Sequence, residues 1–273
     1  MDDLEGKVAV VTGGAKGIGF GMAQAFAEEG MRLVLADIDT DALDRAVASL
    51  TSAGVEAIGV STDVADPAAV DHLRDESFER FGTVHLLCNN AGTGARSELT
   101  EPIAVGVWEQ IVALDLYSIL YGLNAFLPRM LEQGEGHIVN TSSRQGLVAS
   151  AHQGPYPAAK AGSIALTEML REELAELGAP IGTTVLTPGG VRTEGIVEAL
   201  ARHERGEAQD EAMHAFLASR VAAGVEPIEL GRLVVRAVRG NVLYVNTHRE
   251  TLEWLQARVD RMVTDATTLG LLR

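Results

Sequence analysis

The chain has 273 residues, 47% of them hydrophobic and 22% charged, a composition of globular rather than disordered proteins. Its 38 acidic residues against 22 basic ones give a net charge of −16, which argues against nucleic acid or an anionic membrane as partner while still allowing one local site to hold an anion. The single cysteine, Cys88, excludes an internal disulfide, and the composition offers no cysteine cluster for a metal. The acidic start, MDDLEGKVAV, lacks the basic lead of a secretory signal, and no uninterrupted apolar run reaches the ~20 residues of a membrane span. A cytoplasmic protein without a membrane partner is the expectation.

Taken in chain order, short apolar runs alternate with amphipathic segments. KVAVVTG (7–13) predicts a strand and IGFGMAQAFAEEG (18–30) a helix. RLVLAD (32–37) predicts the second strand, 41–54 the second helix and VEAIGVSTDV (55–64) the third strand. The segment 67–82 opens with Pro and stops at Gly, as helices do, and VHLLCNNAG (84–92) follows as a strand. Trp108, Ile111, Leu114, Tyr117 and Leu120 then lie three apart, predicting a helix with a buried stripe. Asp115 sits beside that stripe, where a carboxylate needs a partner or a proton. A strand at GHIVNTSS (136–143), a helix over about 155–178, and strands at GTTVLTPGG (182–190) and VLYVNT (242–247) complete the series. This alternation predicts an α/β fold: a Rossmann-type, doubly wound parallel sheet in one domain over 1–273. Ligands of such sheets bind at the carboxyl ends of the strands, where the polar motifs here fall.

TGGAKGIG (12–19) follows a strand and opens a helix. Gly13 permits a tight turn, Gly17 and Gly19 allow a pyrophosphate to approach the backbone, and Ile18 lies among them at a helix N-terminus that attracts anions. Asp37 ends the second strand about 20 residues on, placed to accept ribose hydroxyls and to repel a 2′-phosphate. NAD is therefore favoured over NADP, although Lys16 in the loop pulls the other way. GPYPAAK (154–160) places Tyr156 and Lys160 four apart on one helix face. A free tyrosine titrates near ~10, so use as a base near neutral pH requires about 4 kcal/mol of help from nearby positive charge.

These residues, with DV (63–64), NNAG (89–92), SS (142–143) and PGGVRT (188–193), resemble the short-chain dehydrogenase/reductase family in its single-domain branch. The resemblance runs from Gly6 to about Thr247. It implies an enzyme that interconverts a secondary alcohol and a ketone by hydride transfer with NAD. It implies Tyr156 as general acid/base, Ser143 as hydrogen-bond partner of the substrate oxygen, and Lys160 as both modulator of Tyr156 and ligand of the nicotinamide ribose. Asp63 and Val64 are implied at the adenine, Asn90, Ala91 and Gly92 along the riboses, and Pro188, Gly189, Val191 and Thr193 at the nicotinamide. A homo-oligomer, tetramer or dimer, with paired helix faces is implied as well.

One position departs from the family pattern. Seven residues after Trp108 the family carries a catalytic Asn of a water relay, and here stands Asp115. It either substitutes as a working relay residue, or is protonated, or disables turnover and leaves an NAD-binding regulatory or structural protein. The retained Ser143, Tyr156 and Lys160 favour an active enzyme. The charged, helical stretch within 191–227 corresponds to a substrate lid, with Ile196, Leu200, Met213, Phe216 and Leu217 as its apolar members. Arg144, Gln145, His152 and Gln153 flank the catalytic motifs at the expected pocket edge, and His203 and His214 lack metal-pair spacing. The tail TTLGLLR reads as a frayed end or a cap on a neighbouring subunit.

Overall fold

In the computed structural model, which describes residues 1–93, 105–204 and 211–271, runs of β-branched and aliphatic residues form the strands of one seven-stranded parallel sheet. The strands are β1 (Val8–Thr12), β2 (Arg32–Asp37), β3 (Ala57–Ser61), β4 (Leu86–Asn89), β5 (Gly136–Thr141), β6 (Ile181–Thr187) and β7 (Tyr244–Asn246), in the spatial order β3-β2-β1-β4-β5-β6-β7. Every pairing is parallel, and β1, β4, β5 and β6 are buried throughout; β1 and β4 are accordingly almost wholly apolar, whereas β5 and β6 also bury His137, Asn140 and several threonines. The order reverses between β1 and β4, which creates the crevice where such sheets bind ligands.

The helices cover both faces. They are α1 (Gly17–Glu28), α2 (Thr40–Ser52), α3 (Pro67–Phe81), α4 (Val105–Val112), α5 (Ser118–Gln133), α6 (Arg144–Leu147), α7 (Tyr156–Glu176), α8 (Glu194–Glu204), α9 (Glu211–Ala222), α10 (Pro227–Gly240) and α11 (Arg249–Thr268). Their starts follow local chemistry: the Asp39 carboxylate caps α2 through the Ala42 N–H at 3.0 Å, and Asp66 caps α3, whose first turn holds Pro67. One apolar core lies between α1, α10 and the sheet, around Met22, Phe26 and Val234, and a second lies on the opposite face around Leu73, Leu123 and Phe126.

The strands end earlier than the apolar runs suggest. The final polar residues of each run, such as Asn90–Gly92 and Ser142–Ser143, lie beyond the last ladder pair and turn into the crevice loops. A larger difference concerns 105–133. This run is continuous, and its length and composition would suffice to cross a membrane, but its buried side chains form part of the second core. Between α4 and α5 it widens into a π turn, Ala113–Tyr117. The extra residue shifts the buried face, so the expected stripe does not continue: Tyr117 and Leu120 are exposed, whereas Asp115, Ser118 and Ile119 are buried.

A buried polar ladder ties the sheet's centre to α7. The Asn89 amide donates to Asn140 at 2.9 Å, and the Asn140 amide donates to the Thr167 hydroxyl at 3.0 Å. His137, on β5, is buried with Nε2 2.8 Å from the Thr184 hydroxyl, and burial holds its pKa down to about 3. An unfolded histidine titrates near ~6.5, so below that pH the unfolded chain binds a proton that the folded chain excludes. Stability from this group is therefore full above ~6.5 and is lost as the pH falls toward about 3. Urea denaturation should show wild type losing up to about 3 kcal/mol between pH 6.5 and 4 from this source. His137→Gln should lack that component, and parallel pH slopes for the two proteins would remove His137 as the cause.

Candidate active site

The glycine loop joins β1 to α1. Gly13 and Gly17 have φ of +60° and +53°, conformations that side-chain-bearing residues rarely adopt, and a Cβ on Gly13 would stand 2.9 Å from the Ala91 Cα. Gly19 packs against the Gly13 carbonyl and the Asn90 amide, closing the turn beneath the α1 N-terminus. Asp37, at the end of β2, faces this loop: its Oδ2 accepts from the Ala15 N–H at 3.2 Å and its Oδ1 from the Asp39 N–H at 3.1 Å. Lys16 does not stand free beside it. Its ammonium pairs with the Asp39 carboxylate, and that hydrogen bond pulls the Asp39 carboxyl below the usual range.

The other nucleotide-side residues fall at successive strand ends. Asp63 is exposed after β3, with its Oδ1 accepting from the Ala65 N–H at 2.9 Å, and Val64 is buried in the second core. Asn90 acts chiefly as a strap. Its amide donates to the carbonyls of Thr12 at 2.9 Å and Gly13 at 3.3 Å, and its oxygen accepts from the Thr141 hydroxyl at 3.2 Å. The ends of β1, β4 and β5 are thereby fixed together. The Ala91 N–H donates to Thr12 Oγ1 at 3.1 Å. After β6, Pro188 accepts from the Arg144 N–H at 3.1 Å, Gly189 donates to Thr247 Oγ1 at 3.0 Å, and Val191 bridges to Val225. The Thr193 methyl stands against Gly17, where an added Cβ would meet it at 3.0 Å. The loop after β6 thus touches the glycine loop. Positive-φ glycines under a helix N-terminus, with a carboxylate at the neighbouring strand end, form a cradle that fits a dinucleotide.

The reactive side chains come from β5 and α7. Ser143 caps α6, and its Oγ accepts from the Gln145 N–H at 3.2 Å. Tyr156 opens α7, and Lys160 lies one turn further on, buried, with Nζ 5.7 Å from the Tyr156 ring centre. The Lys160 ammonium donates to the Thr141 carbonyl at 3.1 Å and pairs with Asp115 Oδ1 at 2.9 Å. A cation placed there attracts negative charge developing near the tyrosine. The carboxylate behind it opposes part of that effect.

Asp115 is fully buried and reaches Lys160 from the π turn. Its Oδ1 also accepts from the Thr93 N–H at 3.1 Å, while Oδ2 has no hydrogen-bond partner among the described residues. Burial pushes its carboxyl above the usual range, opposed by the Lys160 charge. Gly92 is here for a reason its motif does not disclose: a Cβ would lie 2.5 Å from Asp115 Oδ1 and 3.1 Å from Lys160 Nζ.

Beside the Tyr156 turn lies a cavity of about 720 Å³, lined by Gln145, His152 and Gln153 among others, with Trp108 on one side and α11 on the other. His152 and Gly154 adopt φ of +62° and +52° there, so the backbone entering the Tyr156 turn is held in an uncommon conformation. Arg144 instead lays its guanidinium over Trp254, 5.1 Å from the ring centre. The lid stretch carries α8 and α9; Ile196 and Leu200 are half-buried and Leu217 is buried. The side chains of His203, Met213 and Phe216 lie outside the described residues. His214 is exposed, and no metal-holding cluster occurs among the described residues. The sequence reading missed the π turn, which has no local motif, and α11, whose Leu252, Leu255, Val259 and Met262 carry a legible helical spacing.

Comparison with known proteins places these residues in context. The family model for short chain dehydrogenase matches residues 7–204. A C alpha-dehydrogenase of Sphingobium sp. is 34% identical over 269 residues, covering 96% of this chain and 87% of the relative. A short-chain dehydrogenase/reductase of Burkholderia phymatum, crystallised with NAD, superposes with a TM-score of 0.87 at 37% identity, over 97% of both chains. An L-sorbose reductase of Gluconobacter frateurii, crystallised with NADPH and L-sorbose, superposes with a TM-score of 0.80 at 27% identity, over 90% of this chain and 97% of that one.

Asp115→Asn removes a negative charge behind Lys160 and leaves the ammonium acting on Tyr156 alone. A rate that needs an anionic Tyr156 should then rise at lower pH, with its ascending limb moved down by about one pH unit. Rate–pH profiles of the two proteins test this. An upward shift contradicts the electrostatic argument, and a silent wild type beside an active variant identifies Asp115 as a disabling residue.

Proposed function

The chain belongs to the short-chain dehydrogenase/reductase family, and on that premise we propose that it is an NAD-dependent oxidoreductase interconverting a secondary alcohol and a ketone, with Tyr156 as general acid/base. The observation that carries this reading is the buried Lys160 ammonium, pinned one turn from Tyr156 by the Thr141 carbonyl and Asp115.

The bound nicotinamide supplies the carbon that accepts hydride from the alcohol or returns it to the ketone. The protein's part is proton movement and charge placement. Tyr156 takes the hydroxyl proton onto its phenolic oxygen as the carbonyl forms, and gives it back in reduction. The Ser143 hydroxyl donates to the same substrate oxygen and steadies its developing negative charge. Lys160 stabilises the tyrosine in its anionic form, and two of its three N–H donors are already committed to fixed acceptors, so it is oriented before substrate arrives.

The NAD preference rests on Asp37. Its carboxylate is fixed against the glycine loop at the place of the adenosine ribose, and Lys16, the group that would welcome a 2′-phosphate, is engaged by Asp39. Asp63, Val64, Asn90, Ala91 and Gly92 form the remaining nucleotide wall in this reading, and Pro188, Gly189, Val191 and Thr193 border the nicotinamide. The segments around α8 and α9 serve as the substrate lid. Self-association is supported by an apolar recess of about 330 Å³ on the outer faces of α5 and α7, lined by Tyr117, Leu120, Ala165 and Met169.

Tyr156→Phe should lower kcat by about a hundredfold or more while NAD affinity stays within about threefold. Steady-state kinetics with NAD titration measures both, and substantial residual turnover would refute the assigned base. Asp37→Ala should lower the NAD:NADP ratio of kcat/KM by about tenfold or more. An unchanged ratio would place the cofactor discrimination elsewhere.

A further inference from the structure

The cavity beside Tyr156 has a chemical bias that the reaction itself does not require. Gln145, whose N–H holds Ser143 Oγ, and Gln153, whose carbonyl accepts from the Tyr156 N–H at 3.3 Å, both line it, so it adjoins the turns that carry the reactive residues. Its walls are mostly small and apolar, including Val148, Ala149 and Ala161. Against them α11 brings two guanidinium groups, Arg258 and Arg261. The chain carries 38 acidic residues against 22 basic ones, yet no Asp or Glu is among the described residues that line this cavity. Neither arginine pairs with a carboxylate among the described residues, unlike Arg249 on the same helix, which meets Glu253 at 3.2 Å.

Arg258 is also fixed in place. Its Nη1 donates to the Leu147 carbonyl at the end of α6 at 2.6 Å, which anchors the middle of α11 to α6 and leaves further N–H donors of the fork for a ligand. Beside it the Arg144 guanidinium lies on the Trp254 ring, adding a third positive charge at the α6–α11 contact. Two arginines with no carboxylate partner among the described residues, set over apolar walls, match an apolar body that ends in a carboxylate, because planar guanidinium forks engage that group with two parallel hydrogen bonds. The volume is within the range that encloses a small organic ligand.

We infer that this cavity receives the far end of the substrate and that the substrate is an apolar hydroxy- or oxo-acid whose carboxylate is held by Arg258 and Arg261. This deepens the dehydrogenase reading and rests on it, since the cavity's meaning depends on reaction at Tyr156.

The test uses the full chain with NAD and two matched probes, 4-(1-hydroxyethyl)benzoate and its methyl ester. Wild type should favour the acid in kcat/KM. The double variant Arg258→Gln/Arg261→Gln should raise KM for the acid about 10- to 100-fold, with kcat and the ester's constants nearly unchanged. Arg249→Gln, on the same helix but paired outside the cavity, should behave as wild type. Equal effects on acid and ester, or no preference in wild type, would overturn the inference while leaving the dehydrogenase reading intact. Calorimetric binding of 4-acetylbenzoate and its methyl ester to the NADH-loaded protein supplies a readout that needs no turnover. Tighter binding of the acid that disappears in the double variant supports the arginine site even if no alcohol is oxidised, in which case the dehydrogenase reading alone fails. Indistinguishable binding of the two probes overturns the arginine site.

Discussion

The site is organised around one buried ion pair, Lys160 with Asp115, at the carboxyl end of the central strands. A charge so far from water persists only where its partners are fixed in advance. The fixing comes from three directions. Thr141 offers a carbonyl from the last residue of β5, the π turn brings Asp115 in from the neighbouring helical run, and Thr93 holds the carboxylate by its N–H. The lysine's own carbonyl accepts from Ser142 and Ser163, so the backbone of α7 is tied to the β5 end at the same point. Gly92 keeps the approach open, because the volume of even one methyl group there belongs to the ion pair.

That pair also explains why an acidic protein handles anionic chemistry locally. Net charge acts over the whole surface, but salt screens it within about 10 Å, whereas contacts inside a crevice are set by neighbours. At the glycine loop the fixed carboxylate is Asp37, and Lys16 is paired with Asp39. At the far end α11 reverses the sign, with Arg258 and Arg261 over apolar walls. The two places thus carry fixed charges of opposite sign.

Much of this was legible in the sequence, for a physical reason. Parallel strands buried on both faces must be apolar runs, and glycines, prolines and capping acids mark where they stop, so the alternation and the strand-end motifs could be read directly. The oddity of Asp115 was legible too, as a carboxylate beside an apolar stripe. The π turn was not. Periodicity arguments assume 3.6 residues per turn, and one inserted residue rotates everything after it, so Tyr117 and Leu120 were placed inward when they face out. The bonds from the Asn90 amide to the carbonyls of Thr12 and Gly13 were not legible either, because they are a long-range partnership that spacing cannot disclose. The arginines of α11 join the site only through tertiary packing against α6, across 111 positions of sequence from Arg258 to Leu147.

The two oxygens of Asp115 divide the problem of an acid in a relay position. Oδ1 does what an amide oxygen would do, accepting from Lys160 and Thr93. Oδ2 is buried with no partner among the described residues, in the place where an amide would present its N–H donors. An unpartnered buried carboxylate oxygen is costly when charged and less so when it carries a proton. Burial accordingly raises this carboxyl, and Lys160 holds it back. The charged form locks the lysine more tightly, and the neutral form reproduces the shape and donor count of one face of an asparagine. An acid at this position thus adds to the Lys160 contact a dependence on proton activity that an amide would not have.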